Sequence, residues 1–116
     1  MSKGDLSRKV APWQIWWVNF DPHVGHEQRG QRPAIIVGSL LSCDLPNGLI
    51  TAVPCTSTDR QLPIHPEVML GRTRSFAMCD QLKSISTNRL ISPHRAKLTE
   101  DEIEAIRFVL KQLIDI

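Results

Sequence analysis

The chain has 116 residues, a hydrophobic fraction of 41% and a formal net charge of +2. This length suits one domain with modest burial, which dimerisation would supplement. No apolar run approaches the roughly 20 residues that span a bilayer. The cysteines Cys43, Cys55 and Cys79 are odd in number and far apart, which excludes a disulfide framework.

In chain order, residues 1–12 are expected to form a flexible N-terminal tail and 13–116 a single domain. The tail is polar and lacks the apolar centre of a signal peptide. With the unpaired cysteines, this predicts a cytoplasmic protein. Trp13–Phe20 reads as a strand with apolar residues on both faces. One face would meet the core and the other a subunit partner. Pro33–Gly38 is a short β-branched strand, Asp44–Gly48 a turn and Leu49–Cys55 a third strand. Thr56–Leu62 is a polar loop. Ile64–Leu70 and Ser75–Cys79 pair as a hairpin across Gly71–Arg74. Gln81–Asn88 reads as a helical turn and Arg89–Leu98 as an extended segment. Thr99 and Glu102 form a capping-box pattern, and Ile103, Ile106, Val109, Leu110, Leu113 and Ile114 recur at helical spacing. Short strands closed by one helix predict a mainly β fold, a small bent sheet or barrel with a C-terminal α-helix.

Charge is uneven along the chain. Between Arg60 and Leu98, seven basic residues face two acidic ones, giving +5; from Thr99 onward the balance is −3. An anionic partner would favour the middle of the chain.

The segment Asp21–Pro33 carries the densest chemistry. It holds His23, His26, Glu27, Arg29 and Arg32 between two strands, with Gly25 and Gly30 shaping it. A loop so loaded is first a site candidate. Its two histidines lack the close cysteine pair that a zinc site would use, so they read as polar loop residues. Glu27 and Arg32 suit either a loop ion pair or an acid–base pair and anion clamp. Pro33 biases Arg32 toward extended backbone, fixing its side chain at the loop–strand junction. Thr56-Ser57-Thr58, at a strand exit, can satisfy a turn or hold a phosphoryl oxygen. Cys55 and Cys79 have apolar neighbours that favour packed thiols over nucleophiles.

Four segments together resemble the MazF/PemK toxins of bacterial toxin–antitoxin systems. They are Ile15–Pro22, then Gly25–Gln28 with Gln31–Val37, then Val53–Ser57, then Cys79–Ile85 with Arg89-Leu90. The resemblance runs from about Trp13 through the C-terminal helix. It implies a small SH3-like β-barrel (MazF/PemK/CcdB-type) with a C-terminal helix, assembled as a homodimer. It also implies a sequence-specific endoribonuclease that cleaves single-stranded RNA, usually mRNA, without a metal or other cofactor. The products would be a 2′,3′-cyclic phosphate and a 5′-hydroxyl. It places the essential arginine at Arg32, the essential threonine at Thr56 and a supporting glutamate at Glu27. His26, Gln28, Ser57, Gln81 and Lys83 would contact RNA. His26 departs from the family, where many relatives carry serine. The implied protein partner is a cognate MazE-like antitoxin with an acidic tail. The rivals are a non-enzymatic CcdB-like toxin that poisons DNA gyrase on the same fold, and an SH3-like peptide-binding module. The second is disfavoured because the chain has no tyrosine and its tryptophans cluster in one predicted strand.

Overall fold

The computed structural model describes residues 9–21 and 30–116. The expectations for His26, Glu27 and Gln28, and for residues 1–8 of the tail, lie outside the described residues. Among those described, seven strands and two α-helices follow in order: β1 (Ile15–Asn19), β2 (Gln31–Ile36), α1 (Leu40–Asp44), β3 (Leu49–Thr56), β4 (Glu67–Leu70), β5 (Thr73–Ala77), β6 (Lys83–Ser86), β7 (Leu90–Pro93) and α2 (Glu100–Leu113). Every ladder is antiparallel. The strand path is β4-β5-β3-β2-β1-β7, with β6 also paired to β3. No ladder joins β7 to β4 among the described residues, so the sheet is not closed. The mainly β fold with a C-terminal helix stands, as an open sheet.

Both faces of this sheet are buried. Ile15, Ile35, Val53 and Cys55 enter one core with Ile106 and Val109 of α2. Their strand neighbours Trp16, Val18, Ala34, Ile36, Ile50 and Ala52 enter a second core with Ile85 and Leu90. Side chains alternate across a strand, so a strand covered on both faces must be apolar at every position. This accounts for Ile15 on one face of β1 and for Trp16 and Val18 on the other: each face has a core of the chain itself. Trp17, at 36% exposure, and the polar Asn19 are the exceptions in β1.

The Trp13 turn, the strand β6 and the short helix α1 differ from expectation. Trp13 lies before β1, in a turn at φ 68°. That is a left-handed conformation rare for a bulky residue, and it costs on the order of 1–3 kcal/mol. The backbone N–H of Trp13 bonds to the Ile36 carbonyl at 2.7 Å, which holds the turn against the sheet. Lys83–Ser86 is the strand β6 and not part of a helical turn. It pairs with Leu49–Ala52 of β3, and its Ile85 enters the second core. Short 3₁₀ turns at Cys79–Gln81 and Thr87–Arg89 flank it.

The C-terminal helix forms as the sequence dictates. Thr99 Oγ accepts the Glu102 N–H, and Glu102 accepts the Thr99 N–H at 2.8 Å. The second Glu102 oxygen accepts the Met69 N–H at 2.7 Å, tying the helix to β4. Ile103, Ile106 and Val109 are buried, whereas Leu113 and Ile114 remain exposed. No helix among the described residues is long and apolar enough to cross a membrane.

Candidate active site

The site follows from one register. β2 and β3 pair as Ala34↔Pro54, Ile35↔Val53 and Ile36↔Ala52. The ladder ends at Ala34 and Pro54; Arg32 and Thr56 lie two residues beyond it, near the start of one strand and at the end of the other. Both line a cleft of about 180 Å³, with Trp17, Ser57, Thr73 and Ser75 on its other walls. Arg32 is exposed, whereas Thr56 is buried at 7% exposure.

The hydrogen bonds of the cleft define its chemistry. The Thr56 hydroxyl accepts the Thr58 N–H at 3.1 Å, so its own O–H remains to donate to an oxygen in the cleft. A guanidinium offers five donors and a permanent positive charge. A planar cation beside a hydroxyl donor is matched to a phosphoryl group. Cys55 also borders the cleft, but its thiol is buried. Burial pushes its pKa well above the ordinary range, and the nearby Cys79 adds to this. Cys79 is itself pushed up to about 12 by burial, then by the Asp80 carboxylate. Neither thiol is poised as a nucleophile.

The loop bearing the densest chemistry is anchored at its base. The Asp21 carboxylate accepts the Gly30 N–H at 2.9 Å, and the Phe20 N–H bonds to the Gly30 carbonyl at 2.8 Å. Gly30 has φ 73°, a conformation that glycine adopts without strain. Arg89, just before the neighbouring strand β7, donates to the carbonyls of Asn19 and Asp21.

With this geometry in view, residues 11–114 match the model of the family described as PemK-like, MazF-like toxin of type II toxin–antitoxin system. The chain belongs to that family. It is 31% identical over 99 residues to the endoribonuclease toxin MazF of Escherichia coli K12, covering 84% of this chain and 87% of that protein. Among solved structures, MazF from Deinococcus radiodurans superposes with a TM-score of 0.79 at 27% identity, covering 92% of this chain and 97% of that one. A MazE–MazF structure from the same organism gives 0.73 at 27% identity, covering 93% and 97%.

In this toxin the structure brings Arg32, Thr56 and Ser57 together on one cleft. Gln81 and Lys83 are not among its lining residues. The Gln81 amide donates to the Met78 sulfur at 3.5 Å, and its carbonyl oxygen is buried without a partner. The Lys83 ammonium lies 5.5 Å from the centroid of the Phe20 ring. The basic middle of the chain is likewise partly committed to structure. Arg74 pairs with Glu67 at 3.0 Å and Asp59 at 3.8 Å, and Arg89 anchors the loop base. Sequence reading missed Trp17, Thr73 and Ser75 as cleft walls. Trp17 was hidden in an apolar run. Thr73 and Ser75 come to the cleft because β5 pairs with the end of β3, Thr56↔Phe76, a contact between distant segments.

Proposed function

We propose that this toxin is a metal-independent, sequence-specific endoribonuclease that cuts single-stranded RNA in the Arg32–Thr56 cleft. The observation that carries the reading is that Arg32 and Thr56, from neighbouring strands, line one cleft, which supports a guanidinium and a hydroxyl donor acting on the same group. The endoribonuclease activity comes with the family and with relatives such as the Escherichia coli toxin; the roles of the residues are our reading.

In this mechanism the ribose 2′-hydroxyl attacks the adjacent phosphorus, the bond to the 5′-oxygen breaks, and that leaving oxygen takes up a proton from water. The products are a 2′,3′-cyclic phosphate and a 5′-hydroxyl. Glu27 accepts the 2′-hydroxyl proton, with His26 beside it in sequence as the other candidate acceptor. A guanidinium is a poor proton shuttle and a good anion clamp, so the task of Arg32 is to stabilise the negative charge of the phosphorane. Thr56 donates its O–H to a non-bridging oxygen. Ser57 and Gln28 contact the flanking RNA.

The toxin works on mRNA in the cytoplasm and thereby blocks translation and growth. A MazE-like antitoxin with an acidic tail neutralises it by covering the same cations, and a homodimer is the expected assembly. The test is to incubate the purified protein with a long, varied RNA and EDTA and to map the ends. Cuts at one short sequence, with cyclic-phosphate and 5′-hydroxyl termini, are expected. No cleavage, together with inhibition of DNA gyrase, would replace this reading with that of a gyrase poison.

A further inference from the structure

A second cavity lies beside the cleft. Its volume is about 360 Å³, within the range of ligand sites. The turn at Trp13, the His94–Leu98 connector and Ile103 of α2 line it. Arg95 and Lys97, both exposed, contribute two cations, and no carboxylate is among its lining residues. Arg107 lies 5.2 Å from the centroid of the Trp13 ring, but it is ion-paired with Glu104, so Arg95 and Lys97 carry the charge of the groove.

The two cavities share a wall. Trp17 lines the catalytic cleft and His94 lines the second groove. Their rings lie 5.3 Å apart, inclined by 31°. His94 Nδ1 accepts the Ala96 N–H at 3.0 Å, so the neutral ring carries its proton on Nε2, as a donor. The path therefore runs from Arg32 over the Trp17–His94 pair to Arg95, Lys97 and Trp13. Aromatic faces alternating with cations along a groove are the physical signature of a single-strand path, because every base stacks and every phosphate is negative. The left-handed Trp13, one of two non-glycine residues with positive φ among those described, forms the far wall. Strain of this kind concentrates at binding surfaces.

We propose that the groove between Trp13 and the His94–Leu98 connector is an extended RNA subsite, which receives nucleotides flanking the scissile bond after they cross the Trp17–His94 pair. It rests on the RNA-cleaving reading of the cleft. An acidic peptide would match the cations but would not require rings continuous with the cleft.

The test reads binding and cleavage separately. The probes are a heptanucleotide spanning the mapped cut, with hydrogen replacing the reactive 2′-hydroxyl, and the same probe extended by six adenosines at either end. A 20-mer of adenosine serves where no cut is found. Extension at one end is expected to tighten binding about tenfold. R95A/K97A, exposed changes checked for an intact melting transition, should abolish that gain. It should also lower the salt slope by roughly one, while leaving cleavage of the unmodified heptanucleotide unchanged. His94→Ala should lose part of the same gain. A gain that survives in R95A/K97A, or no gain at either end, overturns the subsite. So does loss of affinity for a glutamate 20-mer with RNA affinity intact, which would mark a peptide dock. Absence of cleavage with the R95A/K97A-sensitive length gain intact overturns the cleavage reading alone; cleavage without that gain overturns the subsite alone.

Discussion

The Asp21 carboxylate accepts the Gly30 backbone N–H at 2.9 Å, although nine positions separate the two residues. With the Phe20–Gly30 backbone bond, this contact closes the base of the segment that carries Glu27. Arg89 reinforces it by donating to the carbonyls of Asn19 and Asp21. The loop thus starts and ends at a fixed place beside Arg32. A catalytic group on such a loop depends on that base for its aim.

Asp21→Ala should therefore lower the rate of RNA cleavage about tenfold, because misplacement of a reacting group is costly. The stability loss should be about 1 kcal/mol, since the bond is exposed. Single-turnover cleavage and thermal melting measure the two effects. Equal, large losses in both would show that Asp21 serves folding only.

The cleft itself makes a sharper demand. Arg32→Ala should reduce cleavage by about a thousandfold, the scale of losing one donor aimed at a developing charge. Arg32→Lys keeps the charge but loses the planar fork, so an intermediate loss of about tenfold is expected. Thr56→Ser should stay within a few-fold of the parent. Thr56→Val should lose about a hundredfold and also about 1 kcal/mol of stability, because the Thr58 N–H loses its acceptor. If Arg32→Lys, Glu27→Gln and His26→Ala all kept nearly full activity, the assignment of roles would be wrong.

How much of this was legible in the sequence differs by element. The helix α2 was readable because its signals are local: Thr99 and Glu102 cap it, and Ile103, Ile106 and Val109 mark one face. The β4–β5 hairpin was readable for the same reason, with Gly71 at φ 67° in its turn. β6 was not, because Lys83–Ser86 has mixed local character and becomes a strand only by pairing with Leu49–Ala52. Arg32 and Thr56 stood out by motif, yet their juxtaposition depends on a ladder register that no local pattern shows. Arg74 and Arg89 belong to the basic middle stretch that charge alone offers to an anionic partner. Their actual partners, Glu67 and the carbonyls at the loop base, lie on other segments.

The motif around Asp80 makes the same point and yields a prediction. Buried His65 meets Asp80 Oδ1 at 2.7 Å through Nε2, while its Nδ1 is buried without a partner. Asp80 therefore holds a loop histidine in the fold. Asp80→Ala leaves that ring nitrogen unpaired and should cost about 2 kcal/mol. Asp80→Asn keeps an acceptor oxygen and should recover part of the loss. Denaturant midpoints measure both. Cleavage at 25 °C should change much less than it does for Arg32→Ala, as expected of a group that stabilises the fold without touching RNA.

The buried thiols predict how stability varies with pH. Burial raises Cys55 far above its ordinary value near 9, and Cys79 is pushed up to about 12. Below about pH 7.5 both thiols hold their protons in the folded and unfolded chains alike, so their contribution is constant. As pH rises beyond that, the unfolded chain releases these protons while the fold retains them. Stability then falls, by up to about 1.4 kcal/mol per pH unit for each thiol. Urea unfolding between pH 7 and pH 10.5 should show a flat region followed by this decline. Cys55→Ala should make the decline shallower by about one proton, at the cost of a small cavity. In the native state at pH 8, iodoacetamide should modify Cys43, the half-buried thiol, well before Cys55 or Cys79. Fast native-state alkylation of Cys55 would contradict both the burial and the pH argument built on it.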